Sequence, residues 1–125
     1  MSAGKYDLYI EQGATFVRNC TYTDSDNVPI NLTGMTLTAQ IRRSYSDATI
    51  AQAITCTIED QSDPDLVGKF VLSLTALQTA GLAVTPAIDY ENTKSYYTYD
   101  LELNSGGQVR RLLQGTVIVS PEVTR

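Results

Sequence analysis

The chain has 125 residues, 42% hydrophobic and 18% charged, with a formal net charge of −5. This composition fits one folded domain over residues 1–125, and the acidic balance argues against a general nucleic-acid or anionic-membrane binder, which needs clustered Lys and Arg. There is no histidine and there are two cysteines, so the usual neutral-pH general base, the commonest transition-metal ligand and a disulfide scaffold are all lacking.

Residues 5–11 alternate Tyr6, Leu8 and Ile10 against Asp7, Tyr9 and Glu11, the period of a half-buried strand. Gln12-Gly13 ends it. Residues 14–23 form a second strand with Phe16, Cys20 and Tyr22 in phase; Arg18 interrupts the phase and marks a bulge, a sheet rim or a reversed face. A turn follows over residues 23–29, and Gly34 is placed in the left-handed region before the next strand. Residues 35–43 put Met35, Leu37, Ala39 and Ile41 inward and Thr36, Thr38, Gln40 and Arg42 outward. A loop over residues 44–49 carries Tyr45.

Residues 50–59 place Ile50, Ile54, Cys56 and Ile58 on one face, with Gln52 as the exception. After the polar loop 60–65, residues 69–74 turn Phe70, Leu72 and Leu74 inward. The period then changes. Thr75-Ala76-Leu77-Gln78 fits a capping box and Gly81 a helix stop, so a short helix is expected over residues 76–80, with Leu77 plugging one end of the fold. A long connection over residues 82–93 contains Pro86 and Tyr90.

The clearest signal is a long hairpin over residues 96–119. Tyr97, Tyr99, Leu101 and Leu103 alternate with Thr98, Asp100, Glu102 and Asn104, and Asn104-Ser105-Gly106-Gly107 supplies the reversal. A hairpin of this length cannot stand alone in water, so the rest of the chain must cover its apolar face. Strands at roughly ten-residue spacing, about seven in all, indicate an all-β sandwich.

The residues offer little chemistry. Cys20 and Cys56 fall on inward faces and serve either as small buried apolar groups or as an inter-strand disulfide, which cytosolic synthesis disfavours. That synthesis is expected because the N-terminus lacks the apolar core of a secretion signal. No apolar run approaches the ~20 residues of a membrane span. Asp60, Asp63 and Asp65 share a loop and either hold a cation weakly or form turns. Asp100 and Glu102 share a strand face and so do not face each other across a cleft, as a two-carboxylate mechanism requires. No enzyme activity and no cofactor or metal is expected.

Tyrosine is the enriched type, with eight copies. It offers large rigid contact area with a hydroxyl, and it also suits strands. Tyr9, Tyr45, Tyr90 and Tyr96 are the candidates for exposed contacts. Arg42, Arg43, Arg110 and Arg111 make two basic pairs on an acidic chain. They serve either to dock an acidic patch of a neighbouring subunit or to protect strand faces and edges.

The run Asp26-Asn27-Val28-Pro29-Ile30-Asn31-Leu32-Thr33-Gly34, followed by Met35-Thr36-Leu37-Thr38-Ala39-Gln40-Ile41-Arg42, resembles a signature of small tailed-bacteriophage virion proteins. The same pattern occurs in the N-terminal domain of phage upper-baseplate proteins. Gly68-Lys69-Phe70-Val71-Leu72-Ser73-Leu74-Thr75-Ala76, Tyr99-Asp100-Leu101-Glu102-Leu103 and the segment from Leu112 to Thr124 resemble that family's later motifs. Asn27 and Asn31 depart from its usual Gly and Asp, and residues 82–94 exceed its typical short link.

The resemblance implies a β-sandwich without catalytic residues, used as a virion building block and assembled in the bacterial host cytoplasm. Its partners would be other virion proteins and further copies of itself. The expectation is thus an immunoglobulin-like β-sandwich of the tail, baseplate or fibre apparatus, docking through its N-terminal strand, the loop at residues 82–94 and the exposed hairpin face. Capsid decoration is one alternative. A carbohydrate-binding module reading the host surface through Tyr45, Tyr90 or Tyr96 is the other.

Overall fold

A computed structural model describes residues 4–44, 46–83 and 95–121. Tyr45, Tyr90 and most of the long connection lie outside the described residues. The strands are β1 (Gly4–Lys5), β2 (Leu8–Glu11), β3 (Phe16–Thr21), β4 (Thr36–Arg42), β5 (Gln52–Ile58), β6 (Lys69–Leu74), β7 (Ser95–Ser105) and β8 (Gln108–Ser120); one helix, α1 (Ala76–Ala80), follows β6. β1 and β2 are two parts of the expected first strand, interrupted at Tyr6 and Asp7.

The hydrogen-bonded path runs β1-β8-β7-β4-β5-β6-β3, with β2 also on β8. It folds into two layers at β5. Ala53 and Ile54 pair with β4, whereas Thr55 to Ile58 pair with β6. One layer is therefore β1/β2, β8, β7, β4, and the other is β6 and β3 with the second half of β5. The N-terminal strand is parallel to the last strand, β8, and every other pairing is antiparallel. This connectivity is an immunoglobulin-like β-sandwich.

The β7–β8 hairpin forms as its alternation requires. Ser105 pairs with Gln108 across Gly106 and Gly107, whose φ values of 58° and 90° match a two-residue type I′ turn. The Asn104 side chain accepts from Gly107 N at 3.0 Å. Leu101 pairs with Leu113 but Glu102 pairs with Arg111, so Leu112 is a bulge residue and the facing of β8 reverses there.

The core forms where the inward phases meet: Leu8 and Ile10, Ala39 and Ile41, Phe70, Leu72 and Leu74, Tyr97 to Leu103 at alternate positions, Val117 and Val119. Leu32 and Leu82 enter it from outside the strands. Asn27 sits at φ 63° and Gly34 at φ 78°. Asn tolerates the left-handed region, so Asn27 serves a turn where the phage-like pattern has Gly.

Three inward assignments are corrected. Tyr6 is 38% exposed, because the strand is interrupted there between β1 and β2 and its ring lies at the open edge beneath Arg18. Leu77 is 84% exposed and plugs nothing. Residues two apart on a helix point to nearly opposite sides, and the side that docks carries Thr79, which is fully buried. Its Oγ1 donates to Ala14 O at 2.8 Å and accepts from Gly13 N at 3.0 Å. Ile50 is 41% exposed because β5 starts only at Gln52. Gln52 takes the inward phase half-buried, with its amide turned back onto Ala53 O at 2.9 Å.

Candidate functional site

The residues proposed for contact divide into three environments. Tyr9 pairs with Ile118, and Ile118 pairs with Tyr96 on its other side. Directly paired residues share a sheet face. The three form one cross-strand row on the outer face of the β2–β8–β7 layer, with the two rings roughly 10 Å apart across the intervening strand. Tyr9 is 72% and Tyr96 60% exposed. The same face further along carries Thr98, Asp100 and Glu102, so the apolar row stands at one end of a polar surface.

Arg42 has an internal role. Its Nη1 donates to Asp47 O at 3.2 Å and to Ala48 O, and its Nη2 donates to Gln40 Oε1 at 3.0 Å. It clamps the loop after β4. Arg43 lies over the Tyr97 ring at 4.8 Å.

Arg110 and Arg111 are strand neighbours and so point to opposite faces, and the bulge at Leu112 decides which of them faces in. Arg111 pairs with Glu102 on the outer face, where its Nε lies 3.4 Å from Asp100 Oδ2 and its Nη1 donates to Gln114 Oε1 at 3.2 Å. Arg110 pairs with Leu103 on the inner face and lines the open side of the sandwich.

That open side is a seam between the free edges of β1/β2 and β3. Its centre is Arg18 stacked on Tyr6, with the guanidinium carbon 4.6 Å from the ring centroid, a cation–π distance. The β3–β6 register is unbroken through Arg18, which pairs with Leu72. Arg18 is therefore a rim residue on the inner face, and it is exposed because β3 is an edge. Either side of the Arg18–Tyr6 stack lies a cleft. One, about 470 Å³, is lined by Cys20, Tyr22, Phe70, Arg110 and Leu113 among others. The other, about 390 Å³, is lined by Asp7, Glu11, Phe16 and Val17 among others. Sequence reasoning missed this seam, although the lone charge in an apolar phase was its signal.

Cys20 and Cys56 are free thiols on the inner face beside β6. Burial pushes Cys56 up to about 11 and raises Cys20, an effect that Arg18 partly offsets. Both are poor nucleophiles at neutral pH. In the acidic loop, Asp60 accepts from Ser62 N at 3.0 Å and Ser62 Oγ at 2.6 Å, and Asp63 accepts from Asp65 N at 2.9 Å. These hydrogen bonds from Ser62 hold Asp60 below the usual carboxylate range. The Asp60 and Asp63 carboxylates are engaged in forming turns. Among the described residues no group of three or more His, Cys, Asp or Glu is placed to hold a metal ion, and no helix is long and apolar enough to cross a membrane.

No family model and no curated protein matches this chain. Two solved structures are similar in outline. One comes from work on multimeric cell-adhesive interactions of VGSC beta subunits, at 9% identity and TM-score 0.44, covering 99% of this chain and 98% of that one. The other is the NK cell receptor Nkp44, at 14% identity and TM-score 0.37, covering 96% of this chain and all of the other. Identities and scores this low carry no argument about function. The class, an immunoglobulin-like β-sandwich, rests on the strand connectivity described above.

Proposed function

We propose that this chain is a phage virion structural protein, a non-catalytic docking module of the tail, baseplate or fibre apparatus. The virion part rests on the resemblance of residues 26–42, 68–76, 99–103 and 112–124 to phage virion proteins. The docking part is carried by one observation: the exposed Tyr9 and Tyr96, which flank half-buried Ile118 in one row on a sheet face. Large aromatic side chains left in water on either side of Ile118 suit an interface, where Tyr contributes area and a hydrogen bond at low entropic cost. In a multi-copy assembly many such modest contacts add through multivalency.

Immunogold electron microscopy of purified virions, with an antibody against this chain, tests the assignment. Label at the tail end or fibres supports it. Label over the head moves the module to capsid decoration. Particles without label, with the protein abundant in the infected lysate, overturn the virion reading.

The same row favours a second reading. Two tyrosine rings roughly 10 Å apart on a flat surface suit stacking against the apolar faces of a sugar chain. Saturable calorimetric binding of host polysaccharide by the purified protein, lost in Tyr96→Ala, would establish that reading in place of docking.

A further inference from the structure

We propose that β3 is a self-association edge, pairing antiparallel about Asn19 with β3 of a second copy. The inference is independent of the virion reading, because it concerns the purified chain alone.

The argument starts with the backbone. Tyr22 N donates to Gly68 O at 2.8 Å, one step beyond the Thr21–Lys69 pair. In an antiparallel ladder alternate residues turn their N–H and C=O to the partner strand. Phe16, Arg18, Cys20 and Tyr22 therefore face β6, whereas Val17, Asn19 and Thr21 point theirs away from it. Among the described residues no strand pairs with that side of β3. In many sandwiches of this class the first strand lies beside the second. Here β1 and β2 both pair with β8 instead.

The edge also lacks the usual defences. Exposed edges are commonly guarded by Lys, Pro, a bulge or a covering loop. β3 has no bulge and no proline, and its outer side chains Val17, Asn19 and Thr21 are uncharged and exposed. Its single charge, Arg18, is folded inward over Tyr6.

Charge selects a second copy as the occupant. The cleft beside the C-terminal half of β3 carries Arg110 and no acidic residue in its lining. The cleft beside the N-terminal half carries Asp7 and Glu11, and Arg18 lies between the two clefts and lines both. A two-fold axis at Asn19 opposes the two halves of the strand, so the basic cleft of each copy meets the acidic cleft of the other. This happens twice, as an isologous contact requires. In the strand register, Val17 meets the second copy's Thr21 and Arg18 meets its Cys20, so like charges are not directly opposed.

Sedimentation velocity of the purified full chain, over a range of concentrations and salt, is the test. The expected result is a dimer that weakens as salt rises, with slow amide exchange at Val17, Asn19 and Thr21. Asn19→Pro should be monomeric with unchanged circular dichroism, because the lost N–H serves no bond to β6. If that variant fails to fold, the pair Val17→Lys with Thr21→Lys is the alternative and should also be monomeric. A wild-type monomer throughout the range overturns the proposal. So does a dimer that survives in a folded edge variant, including one lost only in Tyr9→Ala with Tyr96→Ala.

Discussion

The hydroxyl of Tyr99, buried in β7, donates to the main-chain carbonyl of Tyr6, on the far side of β8. This bond fixes the interruption between β1 and β2. Tyr6 N donates to Gln114 O at 2.9 Å, Asp7 Oδ1 accepts from Thr116 N at 3.0 Å, and Gly115 lies beneath with no Cβ to obstruct the Tyr6 backbone. The position of Tyr6 in turn sets the place of Arg18 and so the shape of the seam.

Tyr99→Phe keeps the ring and removes the donor. Leaving the Tyr6 carbonyl without this part-buried partner costs about 1–2 kcal/mol. Gly115→Ala should cost more, because a methyl group there collides with the Tyr6 carbonyl. Chemical denaturation of both variants checks the order. Gly115→Ala should also free the amide of Tyr6 to exchange.

Gln61 ties two loops together. Its Oε1 accepts from Leu32 N at 2.9 Å and Gly68 N at 2.8 Å, while its Nε2 donates to Glu59 O at 2.9 Å and Leu66 O at 3.0 Å. Gln61→Leu retains bulk and removes all of these partners. A loss of about 3 kcal/mol is expected from the orphaned main-chain groups, read as a shift of the urea midpoint with unchanged slope.

The helix gives a contrast between neighbours. Leu77→Ser should leave stability within about 0.5 kcal/mol, as for an exposed surface change. Thr79→Val should cost about 1–3 kcal/mol, because Gly13 N and Ala14 O lose their partner. Parallel thermal melts of the two variants separate this arrangement from one in which Leu77 is a core plug.

The thiols predict a pH dependence. Cys56 rises from 9.0 to about 11 on folding, chiefly by burial. The folded state therefore holds its proton more tightly than the unfolded state. This contribution to stability is complete below pH 9 and is lost as pH rises through about 11. Stability should fall over that window, and Cys56→Ala should flatten part of the fall. At neutral pH, labelling by iodoacetamide should be slow in the folded protein and fast in denaturant.

How much the sequence reveals depends on how local the cause is. The β7–β8 hairpin is legible because its alternation and its two glycines are adjacent in the chain. The inward faces of β4 and β6 are legible for the same reason. Tyr9 and Tyr96 are each marked as exposed, but their shared row depends on both pairing with Ile118, a long-range register that alternation does not encode. Arg110 and Arg111 look like a pair, but strand neighbours point to opposite faces, and which of them faces in depends on the bulge at Leu112, a register shift that the sequence does not mark. Arg18 is visible as an anomaly, yet its meaning comes from β1 and β2 choosing β8 over β3. Gln61 carries no local signal at all, since its partners come from the loops flanking β4 and β6.

The most direct test of the docking account is incorporation of the Tyr9→Ala, Tyr96→Ala double variant into phage particles. The variant would be supplied in place of the wild-type chain and quantified in purified virions by mass spectrometry. Both side chains are exposed, so the domain should fold with a melting temperature close to wild type. The account predicts a folded protein whose copy number per particle falls at least several-fold. Incorporation at the wild-type level would contradict it.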